Sequence, residues 1–442
     1  MDIDEDGGAG EEATRQVQVR FVTKLKPPYK VPPAAIFIPA SLSRFGLSKT
    51  VNNLLQAANE DWESEVFDFL IDGELVRMTL EEFLLAKGIS AEKVLEIEYI
   101  KAVAPRKQEE PSLHDDWVSA VDGSNDGYIV TGCYDGYGRI WKAGKLCTHI
   151  LDGHSGPVTS VCVANHKVES DVDEIIATAS KDRTLRLWKF NAEETLDQPM
   201  NIQASKILSG HTAAVQCVAA EPFGNMVCSG SWDSSIRLWN ISGSDTGVSV
   251  KKRKKDDASD GGGEDNQSEE EAVSTFVGHT QCVSSVIWPE HQTIYSASWD
   301  HSIRRWDVET GKDNTNIVFC GKAMNCLDIG GESSALIAAG GSDPVLRIWD
   351  PRKPGTSSPI FQFSSHKSWI SSCKWHRESW FHLVTSSYDG KVRLWDLRSA
   401  LPLFVLNAHS DKVLCADWWK NDCVISGGVD SKLNIISGIP IK

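Results

Sequence analysis

The sequence predicts a mainly β protein, seven four-stranded units closed into a ring and preceded by a small α+β domain. Three observations predict it. Seven times between residues 130 and 440 an aspartate is followed, six positions on, by a large apolar residue: Asp135/Trp141, Asp182/Trp188, Asp233/Trp239, Asp300/Trp306, Asp343/Trp349, Asp389/Trp395 and Asp430/Ile436. Six histidines, His114, His154, His211, His279, His366 and His409, precede their aspartates by 21 to 28 residues, each followed four positions later by Val or Ile. Residues 16–103 share none of this pattern and follow one of their own. An internal repeat of this period sets the fold before any local reading does.

The first 15 residues, MDIDEDGGAGEEATR, are acidic and lack an apolar stretch, so they read as a disordered tail and not as a secretory signal. Residues 16–103 alternate strand and helix signals. VQVRFVTK is an alternating strand, and VPPAAIFIPA is a second one with a Pro-marked start. LSKTVNNLLQAA has helical spacing at Val51, Leu54 and Leu55. VFDFLIDGELV is a hairpin around Asp72-Gly73, MTLEEFLLAKG is a helix stopped by glycine, and VLEIEYI is a last strand. The order ββαββαβ resembles a ubiquitin-like domain. The stretch 104–113 reads as a linker.

From His114 to the end, period-two runs such as PVTSVCVA and MVCSGSWDSSIRLW are broken by Gly, Asp and Asn, the mark of short antiparallel strands. With Gly-His near its start and Trp-Asp near its end, the unit resembles the WD repeat, so 114–442 is expected to be a seven-bladed β-propeller. A ring removes open sheet edges. Its closing strand is expected either from the segment before His114 or from the terminal IPIK, with the upstream segment favoured. In the WD family the turn aspartate holds the histidine and the tryptophan covers the pair. A His, Ser and Asp in each unit mimic a hydrolase triad, but a nucleophile site occurs once per chain and this set recurs around the array. Two units depart from the pattern: Lys322 stands for histidine in the fifth and Ile436 for tryptophan in the seventh. Both are expected to have weaker internal networks.

The spacing from tryptophan to the next marker is 13 to 17 residues in four units, 23 after Trp188 and 40 after Trp239. The His154-to-Asp182 interval is also long. The longest insertion, about 241–275, reads as disordered and carries Lys251, Lys252, Arg253, Lys254 and Lys255 ahead of an acidic run. Five consecutive cations read as a nuclear localisation signal, with an RNA contact or a neutralised charge run as alternatives. The residue before the turn aspartate is aromatic in four units, Tyr134, Trp232, Trp299 and Tyr388, which serve either as interface anchors or as packing against the next blade.

Composition limits the rest. The net charge of −16 disfavours binding naked nucleic acid over the whole surface. No apolar run approaches the ~20 residues a membrane span needs, so no membrane association is expected. The eleven cysteines contain no C-x-x-C pair, so the reading is reduced buried thiols without bound metal or cofactor.

An N-terminal domain with FDFLIDGELVRMTLEEFL and LEIEYIKAV, HDDWVSAV at the entry to the array, and a basic insertion between the third and fourth units narrow the resemblance. The chain resembles the WD-repeat ribosome-biogenesis factors of the Pescadillo–Block of proliferation (PeBoW) complex, with a Notchless-like domain in front. That resemblance implies a non-enzymatic factor for the 60S subunit and pre-rRNA processing, located in the nucleus, nucleolus and nucleoplasm. It implies a propeller bound to the Block of proliferation protein together with Pescadillo on the pre-60S particle. It also implies an N-terminal domain held by the Midasin ATPase, with Glu92 offering its carboxylate in trans to a Midasin-bound divalent cation. Notchless itself shares the handle but carries a further blade. A rival of another class is a substrate receptor of a cullin ubiquitin ligase, because Trp349-Asp350-Pro351-Arg352 and Trp395-Asp396-Leu397-Arg398 match a W-D-x-R motif.

Overall fold

The computed structural model describes residues 15–441 apart from 26, 60–61, 63–64, 66, 77, 90–92, 102–106, 109–110, 143–145, 165–172, 193–197, 242–267, 312, 332–334, 353–357, 400 and 440. The acidic tail up to residue 14, Glu92 and the run 251–255 therefore lie outside the described residues. The chain divides into two compact units, one of Met1–Ala104 with Arg398–Ala400 and one of Pro105–Leu397 with Leu401–Lys442.

The first unit has the expected element order: β1 (Gln16–Val22), β2 (Ile36–Pro39), α1 (Arg44–Ala58), β3 (Phe67–Ile71), β4 (Glu74–Leu75), α2 (Leu80–Lys87) and β5 (Leu95–Lys101). They form one mixed sheet, β2-β1-β5-β3-β4, in which β1 and β5 run parallel. Alternation sends Val17, Val19, Phe21, Phe67, Phe69, Ile71, Ile97 and Tyr99 inward. Leu47, Val51 and Leu55, one helical turn apart, and Phe83 and Leu84 of α2 cover them. A Thr79/Glu82 capping box starts α2, and Gly88, at φ 64°, ends it in the left-handed region that glycine tolerates.

In the second unit the described residues form seven antiparallel sheets. Each has a register shift at the start of its inner strand, at Val118/Ala120, Val158/Ser160, Val215/Cys217, Val283/Ser285, Met324/Cys326, Ile370/Ser372 and Val413/Cys415. Such a bulge bends and twists each inner strand alike. A cycle of side-chain bonds joins these strands. Ser119 donates to Val158 O, Thr159 to Val215 O, Cys217 to Val283 O, Ser284 to Met324 O, Asn325 to Ile370 O, Ser371 to Val413 O and Cys415 to Val118 O. The seventh bond returns to the first sheet, so the ring is closed. Two of the cysteines thus serve as donors to carbonyls of the next blade.

The structure corrects the linker assignment for 104–113. Strands β6 (Lys107–Gln108) and β7 (Ser112–Leu113) pair antiparallel with Lys432–Ser437 of the last sheet. The closing strand is the upstream segment, whose backbone satisfies that open edge at Ser437, Ile436, Leu433 and Lys432. The insertion bounds of 241–275 also need correction. Ile241 is buried, and Ser268–Glu270 and Ser274–Val277 are strands. Ser268–Glu270 adds a parallel fifth strand to the second blade, where Glu270 meets Lys206 at 2.8 Å. Met200–Ile202, from the insertion after Trp188, does the same for the first blade.

Candidate functional site

The repeated His, Asp and Trp side chains assemble one network per blade. In the second blade His154 Nδ1 lies 2.8 Å from Asp182 Oδ2, and its Nε2 lies 2.7 Å from Thr178 Oγ1. The Trp188 indole N–H donates to the same hydroxyl at 2.9 Å. The third, fourth and sixth blades repeat this with His211, Asp233, Ser229 and Trp239, with His279, Asp300, Ser296 and Trp306, and with His366, Asp389, Thr385 and Trp395. With Nδ1–H given to the aspartate, Nε2 accepts, so the hydroxyl donates to histidine and accepts from tryptophan. Its oxygen is held on both sides and buried, which leaves no approach for a substrate. In the sequence these hydroxyls stand ten residues before five of the six tryptophans, at Thr131, Thr178, Ser229, Ser296 and Thr385.

Electrostatics follow from this geometry. Burial by itself raises the carboxyls of Asp182, Asp233 and Asp300, but hydrogen bonds from His154 and Thr184, His211 and Ser235, and His279 and Ser302 hold them well below the usual range. Asp389 is lowered in the same way by His366 and the Lys367 backbone. Burial pushes His154, His366 and His409 down, and His114 down to about 4.

The first blade does not follow the expected pairing. Asp135 is taken by Arg139 at 2.7 Å, while His114 bonds to Thr131, which also accepts from Trp141. The guanidinium four residues on reaches the aspartate in place of the imidazole. In the fifth blade Arg347 takes Asp343 in the same way. That blade lacks both the histidine and the hydroxyl, since Ala339 stands ten residues before Trp349. The seventh blade keeps more than expected. His409 bonds Asp430 at 2.7 Å and Ser426 at 2.9 Å, and the Asn434 amide donates to Ala408 O and lies 3.2 Å from His409 Nδ1.

The turns carrying these aspartates lie on one face of the ring, and there the aromatic side chains gather. Trp117 packs on Tyr134 with ring centroids 5.2 Å apart, Trp232 on Trp299 at 4.9 Å and Trp369 on Tyr388 at 6.0 Å. Lys181 sits 4.4 Å over the Tyr134 ring, and Lys412 5.7 Å over Tyr388. Trp117, Trp232 and Trp369 remain 42 %, 48 % and 49 % exposed. Tyr134, Trp299 and Tyr388 also line a small recess of about 140 Å³ at the channel mouth. The sequence reading missed Trp117 and Trp369, although each lies three residues after a marker histidine. Exposed, paired aromatics with cations stacked on them form an adhesive rim rather than a reaction centre.

Inside the channel, a cavity of about 580 Å³, Lys374 lines the wall with Asp122, Asp328 and Asp417. Each aspartate accepts a backbone N–H from another blade: Val163, Trp375 and Gly123 respectively. Burial lifts the Asp328 carboxyl to about 6, and the three carboxylates keep the Lys374 ammonium charged against its burial. Of the two W-D-x-R sites, Arg352 folds back on its own Asp350 at 2.9 Å, and Asp396 is fully buried. Among the described residues, no group of His, Cys, Asp and Glu is arranged to hold a metal ion. No described helix is long and apolar enough to cross a membrane.

Comparison with known proteins matches residues 17–84 to the NLE (NUC135) domain. It matches 108–142, 145–189 and 203–240 to the WD domain, G-beta repeat, and 279–421 to the Nucleolar protein 10-like, N-terminal domain. The chain is 62 % identical to a ribosome biogenesis protein WDR12 homolog of Arabidopsis thaliana, covering 100 % of both chains. It is 63 % identical to the homolog of Oryza sativa subsp. japonica, covering 99 % of this chain and 100 % of that one. With the homolog of Chlamydomonas reinhardtii it shares 35 % identity over 95 % of this chain and 97 % of the other.

Proposed function

Because the chain belongs to the family of ribosome biogenesis proteins homologous to WDR12, we propose that it is a non-enzymatic assembly factor for the large (60S) ribosomal subunit. It acts in pre-rRNA processing in the nucleus, in the nucleolus and nucleoplasm, and the basic run 251–255 directs its import. The propeller binds the Block of proliferation protein, with Pescadillo as the third member on the pre-60S particle. The first unit is a ubiquitin-like handle for Midasin. Glu92, between α2 and β5, supplies one oxygen ligand to a hard divalent cation whose other ligands belong to Midasin.

The observation that carries this reading is the aromatic rim. A ring with every blade network buried has no exposed triad, whereas Trp117, Trp232 and Trp369 offer large rigid area at low entropic cost. The net charge of −16 favours a protein at that rim over RNA. The test is affinity purification of the full chain with Trp232→Ala and Trp369→Ala together. The expected result is loss of Block of proliferation protein with an unchanged melting temperature. Full retention removes the rim from the interface. Recovery of a cullin adaptor from the unsubstituted chain overturns the assembly-factor reading in favour of the ligase receptor.

A further inference from the structure

We propose that the recess at the channel mouth, inside the aromatic rim, is a receptor for a carboxylate: the side chain of a glutamate or aspartate from an acidic segment of a partner protein. It rests on the reading of the rim as an interface and names the chemistry of what docks there.

Three aromatic side chains from three blades line the recess: Tyr134 of the first, Trp299 of the fourth and Tyr388 of the sixth. Each carries one polar hydrogen, on a phenol or an indole. Among the described residues none of these three side-chain donors has a hydrogen-bond partner. Burial raises the Tyr388 phenol and the Tyr134 phenol raises it further, so the two hydroxyls stand within reach of one another's charge. A fourth donor comes from the third blade. Gln216 lines the same recess, and its Oε1 accepts the Trp232 indole N–H at 3.1 Å. An indole can only donate, which fixes the amide: its oxygen is engaged and its NH2 is left over.

The surrounding charge is of one sign. No Asp or Glu lines the recess. The turn aspartates next to the three aromatics are engaged elsewhere, Asp135 by Arg139, Asp300 by His279 and Asp389 by His366. Two ammoniums, by contrast, stand over its walls: Lys181 lies 4.4 Å over the Tyr134 ring and Lys412 5.7 Å over the Tyr388 ring. Unpartnered donors beside two cations are complementary to an anion, whereas a cationic ligand meets like charge there.

Size and charge select the source of that anion. At about 140 Å³ the recess falls well short of the ~300 Å³ at which pockets for whole small ligands begin, so it takes the end of one side chain. The net charge of −16 disfavours a polyanion such as RNA, which has to lie across the surface. At physiological salt that charge is screened beyond about 8 Å, so a single carboxylate in the recess meets the local donors and ammoniums. The half-exposed Trp117, Trp232 and Trp369 offer apolar area to the residues on either side of it.

The experiment is fluorescence anisotropy of the full chain with a labelled hexaglutamate peptide, set against hexaglutamine, hexalysine and a uridine hexanucleotide. The expected result is saturable binding of hexaglutamate, with hexaglutamine weaker by roughly tenfold or more. Tyr134→Phe together with Tyr388→Phe removes two donors and keeps both rings and the net charge, and should weaken hexaglutamate by roughly tenfold. Lys181→Met together with Lys412→Met should weaken it too and flatten its salt dependence. No binding of hexaglutamate, binding undiminished in the Tyr→Phe pair, or hexaglutamine or hexalysine bound as tightly overturns the proposal. Hexanucleotide binding that the same Tyr→Phe pair weakens overturns it in favour of nucleic acid. The purification with Trp232→Ala and Trp369→Ala fails independently. Loss of partner there without hexaglutamate binding keeps the rim as an interface and sinks only the receptor, and the converse leaves the receptor standing.

Discussion

The Cys415 thiol donates to the carbonyl of Val118 at 3.6 Å, across 297 positions of sequence, and this contact completes the cycle of seven bonds between inner strands. Five links in that cycle come from Ser, Thr or Asn. In the third and seventh blades a cysteine one place further on makes the link, so Cys217 and Cys415 are part of the ring's joinery.

Thiol chemistry should report this. Burial pushes the thiols of Cys133 to about 11 and of Cys228 and Cys282 to about 12, and it raises those of Cys217 and Cys415 as well. A thiol reagent at pH 8 should modify native protein slowly, starting with the half-buried Cys147 and Cys320, and reach all eleven only after unfolding. Cys415→Ala should cost about 1–2 kcal/mol in denaturant melts, from a small cavity and the lost link. Rapid labelling of Cys415 in the native chain would contradict its place in the ring.

The blade networks should differ in worth. Asp182→Ala removes the partner of His154 and of the Ser155 N–H, and should cost about 3–5 kcal/mol. Asp135→Ala should cost less, because Arg139 keeps Asp115 at 3.0 Å and His114 keeps Thr131. Equal losses in paired urea titrations would show that the two aspartates do the same work.

Stability should fall on acidification from pH 7 to 5. His114, His154, His366, His376 and His409 have folded-state values below the ordinary ~6.5. Below that pH the unfolded chain binds protons that the folded chain refuses, so each contributes a loss approaching about 1.4 kcal/mol per pH unit. Asp328 and Asp417 are raised and act in the opposite sense, because the folded state takes their protons first. Five histidines outnumber two aspartates, so the net slope is positive. The depressed Asp182, Asp233, Asp300 and Asp389 contribute stability above about pH 4 that is lost as pH falls further. Calorimetric midpoints that stay flat or rise between pH 7 and 5 would contradict this balance.

Glu92→Ala should leave the melting temperature and Block of proliferation binding intact and abolish magnesium-dependent binding to Midasin. The readout is a pull-down with and without chelator, in which unchanged capture would sink the assignment.

Deleting 251–255 should lower nuclear accumulation without destabilising the fold, since the run lies between Ile241 and Ser268, both outside the blade-three hairpin. Normal import of the deletion variant in imaging would show that the run is idle or redundant.

The repeat frame was legible because each blade spells its own network locally: Asp233, Trp239 and Ser229 stand at fixed offsets and meet within one antiparallel turn. The N-terminal element order was legible for the same reason, through alternation at Val17, Val19 and Phe21 and the Thr79/Glu82 cap. What misled were competitions between neighbours. Asp135 can reach His114 or Arg139, and spacing gives both the same standing.

By itself the sequence determined the number of units, the order of strands and helices, the burial of nine of the eleven cysteines and the family resemblance. These are local patterns, set by periodicities of two and 3.6 and by residue chemistry. Tertiary structure alone decided which partner each aspartate takes, that 107–113 belongs to the last blade, that Ser268–Glu270 lies on the second, and that Trp117 stands with Tyr134 at one mouth. Those are contacts between segments far apart in the chain, fixed by ring closure and the pairing of exposed edges, which no local spacing encodes.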